Sequence, residues 1–419
     1  MLQALSSQTP RAPQAPGPLQ LARTEAEAGG GGASVGPQAS ALRARATLLS
    51  DATEHQAAWL EAVHEARTTL KVSLDALTGP GGNALARALA RRAEQGVRVQ
   101  VLAWGPRSAE REAALAEARA RGLLVRSVPA GTLTPVGQWL VADDRVALLG
   151  AHPPRGRVAR AGLLRLAGEA AWELGRFFNA DWAAAGGAPA TLPEPPTVFA
   201  ATSQATVRLG GVGHGRRSAR GILLAALRGA RSSVVVLADV LTDPDVVAAL
   251  VAAQGRGVSV RVLLDDAGLA PDATWAARLG LDEASAAAAS LKAAGLDVRV
   301  LTAGALAMRA AVVDEATLVI ATTPWTRTGF AAQGEWLAAV QEPTMAGVLA
   351  AAFASDWETA MPVEIARTPT ARLLALAAGA VRPALAALSR LAAHRWRLPE
   401  LRVGVVRVAG RWQVVAEAR

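Results

Sequence analysis

The chain has 419 residues, 51% of them hydrophobic, so it can bury one or two large cores. It contains no cysteine, which excludes disulfides, thiolate zinc sites, iron–sulfur clusters and a cysteine nucleophile. Its 44 basic and 35 acidic residues give a net charge of +9, and the segment from Ile365 to Arg419 holds ten arginines against two glutamates, a surplus of eight. The body of the chain is therefore nearly neutral and its C-terminal end is basic.

The first part of the chain alternates between helices and strands after a polar start. Residues 1–44 are rich in Pro, Gln, Ala and Gly, which predicts a flexible leader. Further along, the apolar spacing predicts a helix over 59–67, a strand over 70–74, a helix over 83–94 and a strand over 96–102, in that order.

The same order of elements returns in the second half, with predicted segments at 222–231, 234–237, 246–253 and 257–263. Each copy closes on a Phe-x-x-Asp-Trp motif. The motif residues are Phe178, Asp181 and Trp182 in the first copy and Phe353, Asp356 and Trp357 in the second.

This internal repeat predicts an α/β fold in which two βα repeats are related by a pseudo-twofold axis, each with a largely parallel sheet flanked by helices. A basic C-terminal extension follows, with an Ala/Leu-rich helix from Thr370 to Trp396 and a hairpin of strands 401–408 and 412–415. The predicted domains are a leader (1–44), a first repeat (45–185), a linker (186–205), a second repeat (206–362) and the extension (363–419).

The repeat resembles the phospholipase D superfamily, and in particular its two-repeat bacterial members such as the cardiolipin synthases. The resemblance covers roughly residues 46–360. It is carried by the pairs AVHEARTTLKV and LRGARSSVVVL, RRAEQGVRVQVL and VAAQGRGVSVRVLL, and FFNADW and FASDW.

The resemblance implies one His-x-Lys-x4-Asp box in each repeat, with a Gly-Ser pair beginning seven residues after the Asp. In such a site one imidazole attacks phosphorus, the other protonates the leaving group, and the lysines neutralise the phosphoryl oxygens. The first box of this chain has Val136, Gln138 and Asp143 in the His, Lys and Asp positions, and the second has Ala307, Arg309 and Asp314. Valine and alanine cannot act as nucleophiles, so the resemblance predicts a catalytically inactive member.

Several other residues are candidate phosphate ligands. His152 follows the first box, and His214, Arg216 and Arg217 lie in a glycine-rich loop before a predicted helix, although a solvated surface loop is the simpler interpretation. We expect Arg309 and Gln138 to line the inherited cleft, with Asp314 holding Arg309 in place. Asp265 and Asp266 could be metal ligands by analogy, but a turn or helix-capping role is favoured.

The basic extension interleaves arginines with two indoles, a pattern that suits binding to a nucleic acid or to an anionic membrane surface, or simple exposure to solvent.

The sequence predicts no cofactor, no metal and no transmembrane segment, and it does not predict an oligomeric state. We expect a cytoplasmic protein, with peripheral binding at the membrane or nucleoid as an alternative, that binds a phosphate-bearing partner. An active phosphatidyltransferase or phosphodiesterase resembling cardiolipin synthase is the alternative function. The polyanion-binding candidates are Arg395, Trp396, Arg397, Arg402, Arg407, Arg411 and Trp412.

Overall fold

The computed structural model describes most of the two repeats and the C-terminal hairpin. The described residues are 41–74, 77, 79–105, 108–129, 138–150, 158–188, 193–194, 205–211, 218–265, 283–301, 305–322, 324–331, 336–365, 401–408 and 411–418. The predicted helix from Thr370 to Trp396 lies outside them.

The first repeat alternates strands and helices as the sequence predicts. Its first strand begins at Leu42, two residues before the predicted end of the leader. Its strands are β1 (Leu42–Leu49), β2 (Thr69–Leu74), β3 (Arg98–Gly105), β4 (Leu124–Pro129), β5 (Trp139–Ala142), β6 (Val146–Leu149), β7 (Val158–Ala161) and β8 (Leu163–Gly168). Its helices are α1 (Ala52–Glu65), α2 (Gly79–Glu94), α3 (Ala109–Ala120) and α4 (Glu169–Ala184).

The second repeat follows the same order, with one additional 3-10 turn at Gly329–Ala331. Its strands are β9 (Ala205–Gly211), β10 (Ser233–Ala238), β11 (Ser259–Asp265), β12 (Asp297–Leu301), β13 (Ala305–Ala307), β14 (Arg309–Val313), β15 (Thr317–Ala321) and β16 (Trp336–Gln341). Its helices are α5 (Ala219–Gly229), α6 (Pro244–Gly255), α7 (Glu283–Ala293) and α8 (Pro343–Thr359).

Four further strands follow α8, and they include the hairpin predicted near the C-terminus. They are β17 (Met361–Pro362), β18 (Glu364–Ile365), β19 (Leu401–Val408) and β20 (Arg411–Ala418). The hairpin pairs antiparallel, and β18 pairs with β19 to complete a three-stranded sheet.

One continuous sheet of 15 strands joins the two repeats. From its centre outward, the first repeat contributes β1-β8-β6-β5-β2-β3-β4 and the second contributes β9-β16-β15-β14-β10-β11-β12, with β17 on the outer edge. The two sequences of strands match one for one, and β1 pairs antiparallel with β9 where they meet. This order confirms the predicted α/β fold with two pseudo-symmetric repeats.

Within the 15-stranded sheet, parallel pairing is limited to three strands in each half, β2-β3-β4 and β10-β11-β12. This differs from the largely parallel sheet that the sequence predicts. Tight turns join β5 to β6 and β14 to β15, and such connections produce antiparallel neighbours, whereas parallel neighbours need a long crossover such as a helix.

The two repeats share a hydrophobic core. It contains Trp139 and Phe178 from the first repeat together with Trp336 and Phe353 from the second, all at most 1% exposed. Two further cores each belong to one repeat and lie beneath its own helices. Because the central core draws on both repeats, we expect them to fold as one unit.

The Phe-x-x-Asp-Trp motifs lie near the ends of α4 and α8, the helices that pack on this shared core. Phe178 stacks on Trp182, and Phe353 on Trp357. An arginine lies over each indole, Arg126 on Trp182 and Arg299 on Trp357. The repeated motif therefore has a structural role in both halves.

Candidate functional site: two degenerate boxes at the junction of the repeats

The aspartates of the two boxes make equivalent contacts. Asp143 and Asp314 each begin the turn after a box strand, with φ of 53° and 52°. The Asp143 carboxylate accepts backbone N–H bonds of 2.8–2.9 Å from residues 67–69. The Asp314 carboxylate accepts bonds of 2.8–3.1 Å from residues 231–233. Asp143 thus anchors the start of β2, and Asp314 the start of β10, the strands that pair antiparallel with the two box strands.

These bonds also set the charge state of the two carboxyl groups. Burial by itself raises the pKa of Asp143 and Asp314. The N–H groups they accept, together with the hydroxyls of Thr68 and Ser232, outweigh burial and hold each pKa below its usual value of 3.8. Both groups are therefore negatively charged at neutral pH and are bonded to the backbone.

Arg309, in the second lysine position, is bound to Asp239. Its Nε donates to Asp239 Oδ1 at 2.7 Å, its Nη2 donates to Oδ2, and its Nη1 donates to the carbonyl oxygen of Thr322 at 3.0 Å. The expectation that Asp314 holds Arg309 is wrong. Asp314 follows the opposite end of β14, five residues on, and an extended strand separates the two by roughly 16 Å.

Thr322 stands where the second box has its serine, and its hydroxyl is bonded to the backbone. The Oγ1 accepts the Trp336 N–H at 2.7 Å and lies 3.2 Å from the Trp336 carbonyl oxygen. The Thr322 side chain is buried. This residue therefore links β15 to the start of β16.

The first box is held by a close approach of two chain segments. The carbonyl oxygen of the half-buried Gln138 accepts the Gly150 N–H at 3.0 Å. Gly150 has φ of 143°, and a Cβ atom there would lie 2.5 Å from the carbonyl oxygen of Gly162. A side chain does not fit at this position, which explains the glycine that the box retains.

The second nucleophile position is part of a strand pair between the repeats. Ala307 ends β13, which pairs in parallel with β7 of the first repeat, and its register partner is Ala161. The next residue, Met308, is 3% exposed and packs on Gly162, where a Cβ would come within 2.7 Å of the methionine methyl. At Ala307 the two repeats are therefore in direct contact through a pair of strands.

Aromatic rings fill the same junction. Trp139, one residue after the first lysine position, meets Trp336 of the second repeat edge to face at 5.5 Å. Phe177 of α4 packs on Trp336 with ring centroids 4.7 Å apart. These rings therefore join the two repeats through buried aromatic contacts.

Comparison with known proteins adds the family. A family model described as "Cardiolipin synthase, PLD-like domain" matches residues 223–357 of the second repeat. The structure is similar to that of a phosphatidylserine synthase from Haemophilus influenzae Rd KW20, with a TM-score of 0.54 and 12% identity over 77% of this chain and 88% of that one. Residues 223–357 therefore match a phospholipase D-like domain, and the fold of the larger part of the chain is similar to that of the phosphatidylserine synthase.

Another superfamily structure, Nuc from Salmonella typhimurium, matches with 24% identity and a TM-score of 0.29 over 38% of this chain and 97% of that one. The search of curated proteins found no match. At these identities the structural likeness establishes the fold, while the activity has to be argued from the site.

Several residues that the sequence analysis singled out lie outside the described residues, namely the box position Val136 and the candidate ligands His152, His214, Arg216, Arg217, Arg395, Trp396, Arg397 and Asp266. Asp265 is described and buried, and its carboxylate accepts the Leu306 N–H at 3.1 Å, so it links β11 to β13. In the described part of the chain, no group of three or more His, Asp or Glu could hold a metal ion, and no helix is long and apolar enough to cross a membrane.

The hairpin of the C-terminal extension gives register positions for four of its candidate residues. Arg402 stands opposite Glu417, and Arg407 stands opposite both Trp412 and Glu364. Arg411 stands opposite Val408. Two of the arginines thus have an acidic residue directly across the ladder.

The sequence analysis missed Asp239, the residue that binds Arg309, and the ion pair of Lys71 with Asp144. Asp239 lies two residues after the predicted strand at 234–237, and an acidic residue so close to the end of a strand could have drawn attention. Lys71 stands in the middle of an apolar strand. Nothing in its local pattern signals that its partner lies beside Asp143.

Proposed function

We propose that the chain is a catalytically inactive phospholipase D superfamily protein that binds a phosphate-bearing partner through its basic C-terminal extension. The observation that carries the proposal is Ala307, which stands in the second nucleophile position, on a strand that pairs with β7 of the first repeat. Alanine has no atom that can attack phosphorus or carry a proton.

The remaining box residues support the loss of catalysis. Gln138 carries no charge, Arg309 is bound to Asp239, and the two aspartates are bonded to the backbone of neighbouring strands. Neutralising the phosphoryl oxygens needs cations that are free to approach them. The described part of the boxes supplies none.

The charge distribution supports binding by the extension. It holds a surplus of eight positive charges in a chain with a net charge of +9. Within it, Arg402 and Arg407 face acidic register partners, so Arg395, Arg397 and Arg411 are the preferred contacts to a polyanion. Nucleic acid and anionic phospholipid share this chemistry.

Catalysis is tested with phosphatidylglycerol, bis-nitrophenyl phosphate and plasmid DNA as substrates. We expect no turnover of any of them. Turnover that disappears in His152→Ala or His214→Ala would instead support an active phosphatidyltransferase or phosphodiesterase with a relocated site.

Binding is tested by salt titration with duplex DNA, single-stranded DNA and anionic vesicles. We expect a log–log slope of about −0.9 per duplex phosphate neutralised, and a shallower slope when Arg395, Arg397 and Arg411 are changed together to Gln. The matched control changes the exposed Arg145, Arg228 and Arg327 of the repeats to Gln. Equal losses in both triple variants would contradict binding by the extension.

A further inference from the structure

The guanidinium of Arg309 presents two N–H groups side by side to one carboxylate. Nε and Nη2 bind the two oxygens of Asp239, one each. This two-pronged geometry is the one by which arginine recognises a phosphate. The carboxylate therefore occupies the place where a phosphate would bind this arginine.

The position of the pair in the fold supports this correspondence. Arg309 holds the place of the second box lysine, whose task in the superfamily is to neutralise phosphoryl oxygens. Asp239 directly follows β10, and β10 pairs with β14 through Leu237 and Ala310, so the end of β10 delivers Asp239 beside Arg309. The anion that binds Arg309 is therefore the carboxylate of Asp239, a group of the chain itself.

The Asp239 carboxylate is also positioned independently of the arginine. Its Oδ1 accepts the N–H of Val240 at 2.8 Å, which fixes the side chain against its own backbone. The side chain of Arg309 is 12% exposed and that of Asp239 is 25% exposed. The pair is largely shielded, yet its carboxylate side is open to solvent, so an anion from solution can reach this place once the carboxylate is gone.

We propose that Asp239 is a built-in substitute for phosphate, and that it keeps the Arg309 site from binding inorganic phosphate or a phosphate monoester. A neutral side chain at position 239 opens the site to such an anion. The proposal goes beyond the proposed function, because it concerns the second box and holds whether or not the C-terminal extension binds a polyanion.

The test measures inorganic phosphate binding to the full chain by calorimetry. Asp239→Asn keeps the size and the Val240 contact but removes the charge. We expect it to bind phosphate at least about tenfold more tightly than the wild type, which is the worth of one hydrogen bond to a charged group. The gain should disappear in Asp239→Asn/Arg309→Gln.

Asp245→Asn is the matched control, because it removes the same charge from an exposed ion pair with Arg220. Asp239→Ser is a second variant in case the first does not fold, as judged by far-UV circular dichroism. The proposal is overturned if both folded variants bind phosphate no better than Asp245→Asn, or if the gain persists without Arg309. Neither result bears on the salt-dependent binding assigned to the extension, so the two proposals fail separately.

Discussion

Trp139 of the first repeat meets Trp336 of the second edge to face, with ring centroids 5.5 Å apart and an angle of 72° between the rings. Both side chains are at most 1% exposed. Their contact lies in the buried core that the two repeats share.

Truncating this pair should weaken the whole protein. We expect Trp139→Ala to lower the free energy of unfolding by about 3–5 kcal/mol, the range for a buried tryptophan, and both repeats to unfold in one transition. Chemical denaturation followed by circular dichroism measures this. Trp172→Ala, at a half-buried helix position, serves as the control and should cost clearly less. Two separate transitions would show that the repeats fold independently.

The bonded aspartates should make the protein sensitive to acid. Because the folded pKa values of Asp143 and Asp314 lie below 3.8, each carboxylate stabilises the fold above that pH, and the contribution is lost as pH falls through the folded pKa. Asp143→Asn should cost about 1–3 kcal/mol at pH 7, and its stability should fall less steeply below pH 4 than that of the wild type. Urea titrations from pH 7 to pH 2 measure both effects.

Glu315→Gln is the control for this prediction, since Glu315 is exposed, follows Asp314 in the same turn and also has a positive φ. Glu315→Gln should leave the fall in the free energy of unfolding below pH 4 unchanged. If this fall becomes as shallow in Glu315→Gln as in Asp143→Asn, overall charge, and not the bonded carboxylates, sets the acid sensitivity.

Lys71 and Asp144 form a buried ion pair, with side chains 3% and 5% exposed. Burial lowers the pKa of Lys71, and Asp144 offsets part of that effect. Asp144→Asn leaves the lysine charge unpaired and should cost about 3–5 kcal/mol at pH 7. The destabilisation of Asp144→Asn should become smaller as pH rises towards 10.5. A lysine with a lowered pKa releases its proton more readily in the folded than in the unfolded protein, and the unpaired charge then disappears.

The double variant Lys71→Met/Asp144→Asn should recover most of the stability that Asp144→Asn loses, because it removes the unpaired lysine charge and keeps at position 144 a residue that tolerates the φ of 55°. Thermal and urea unfolding of the single and double variants measure the difference. A double variant as unstable as Asp144→Asn would show that the pair contributes more than mutual neutralisation.

Gly150 should tolerate no side chain. Gly150→Ala would place a Cβ 2.5 Å from the Gly162 carbonyl oxygen. We therefore expect it to lower the free energy of unfolding by more than backbone strain alone would. Gly295→Ala is the matched control, because Gly295 has φ of 89° but open space around it, and it should cost only about 1–2 kcal/mol. Melting temperatures of the two variants test this prediction. If both variants lose the same stability, backbone strain alone accounts for the effect of Gly150→Ala.

The alternation of helices and strands could be predicted from the sequence because apolar periodicity and glycines that end helices are local signals. The internal repeat made the prediction stronger, since GLLVR and GLDVR recur in matching places and form the strands β4 and β12. The absence of histidine and lysine from the box positions is also visible in the sequence, and it alone predicts the loss of catalysis.

Pairings between distant segments could not be predicted in this way. Position 239 and position 309 are 70 residues apart, and only the side-by-side placement of β10 and β14 turns them into an ion pair. The same holds for Ala307 with Ala161 and for Trp139 with Trp336. The sequence by itself determined the elements, the repeat and the missing nucleophiles, because these depend on residue type and local spacing. Only the tertiary structure decided that Trp139 and Trp336 meet in one core and that Asp239 neutralises Arg309, because both contacts depend on which strands become neighbours.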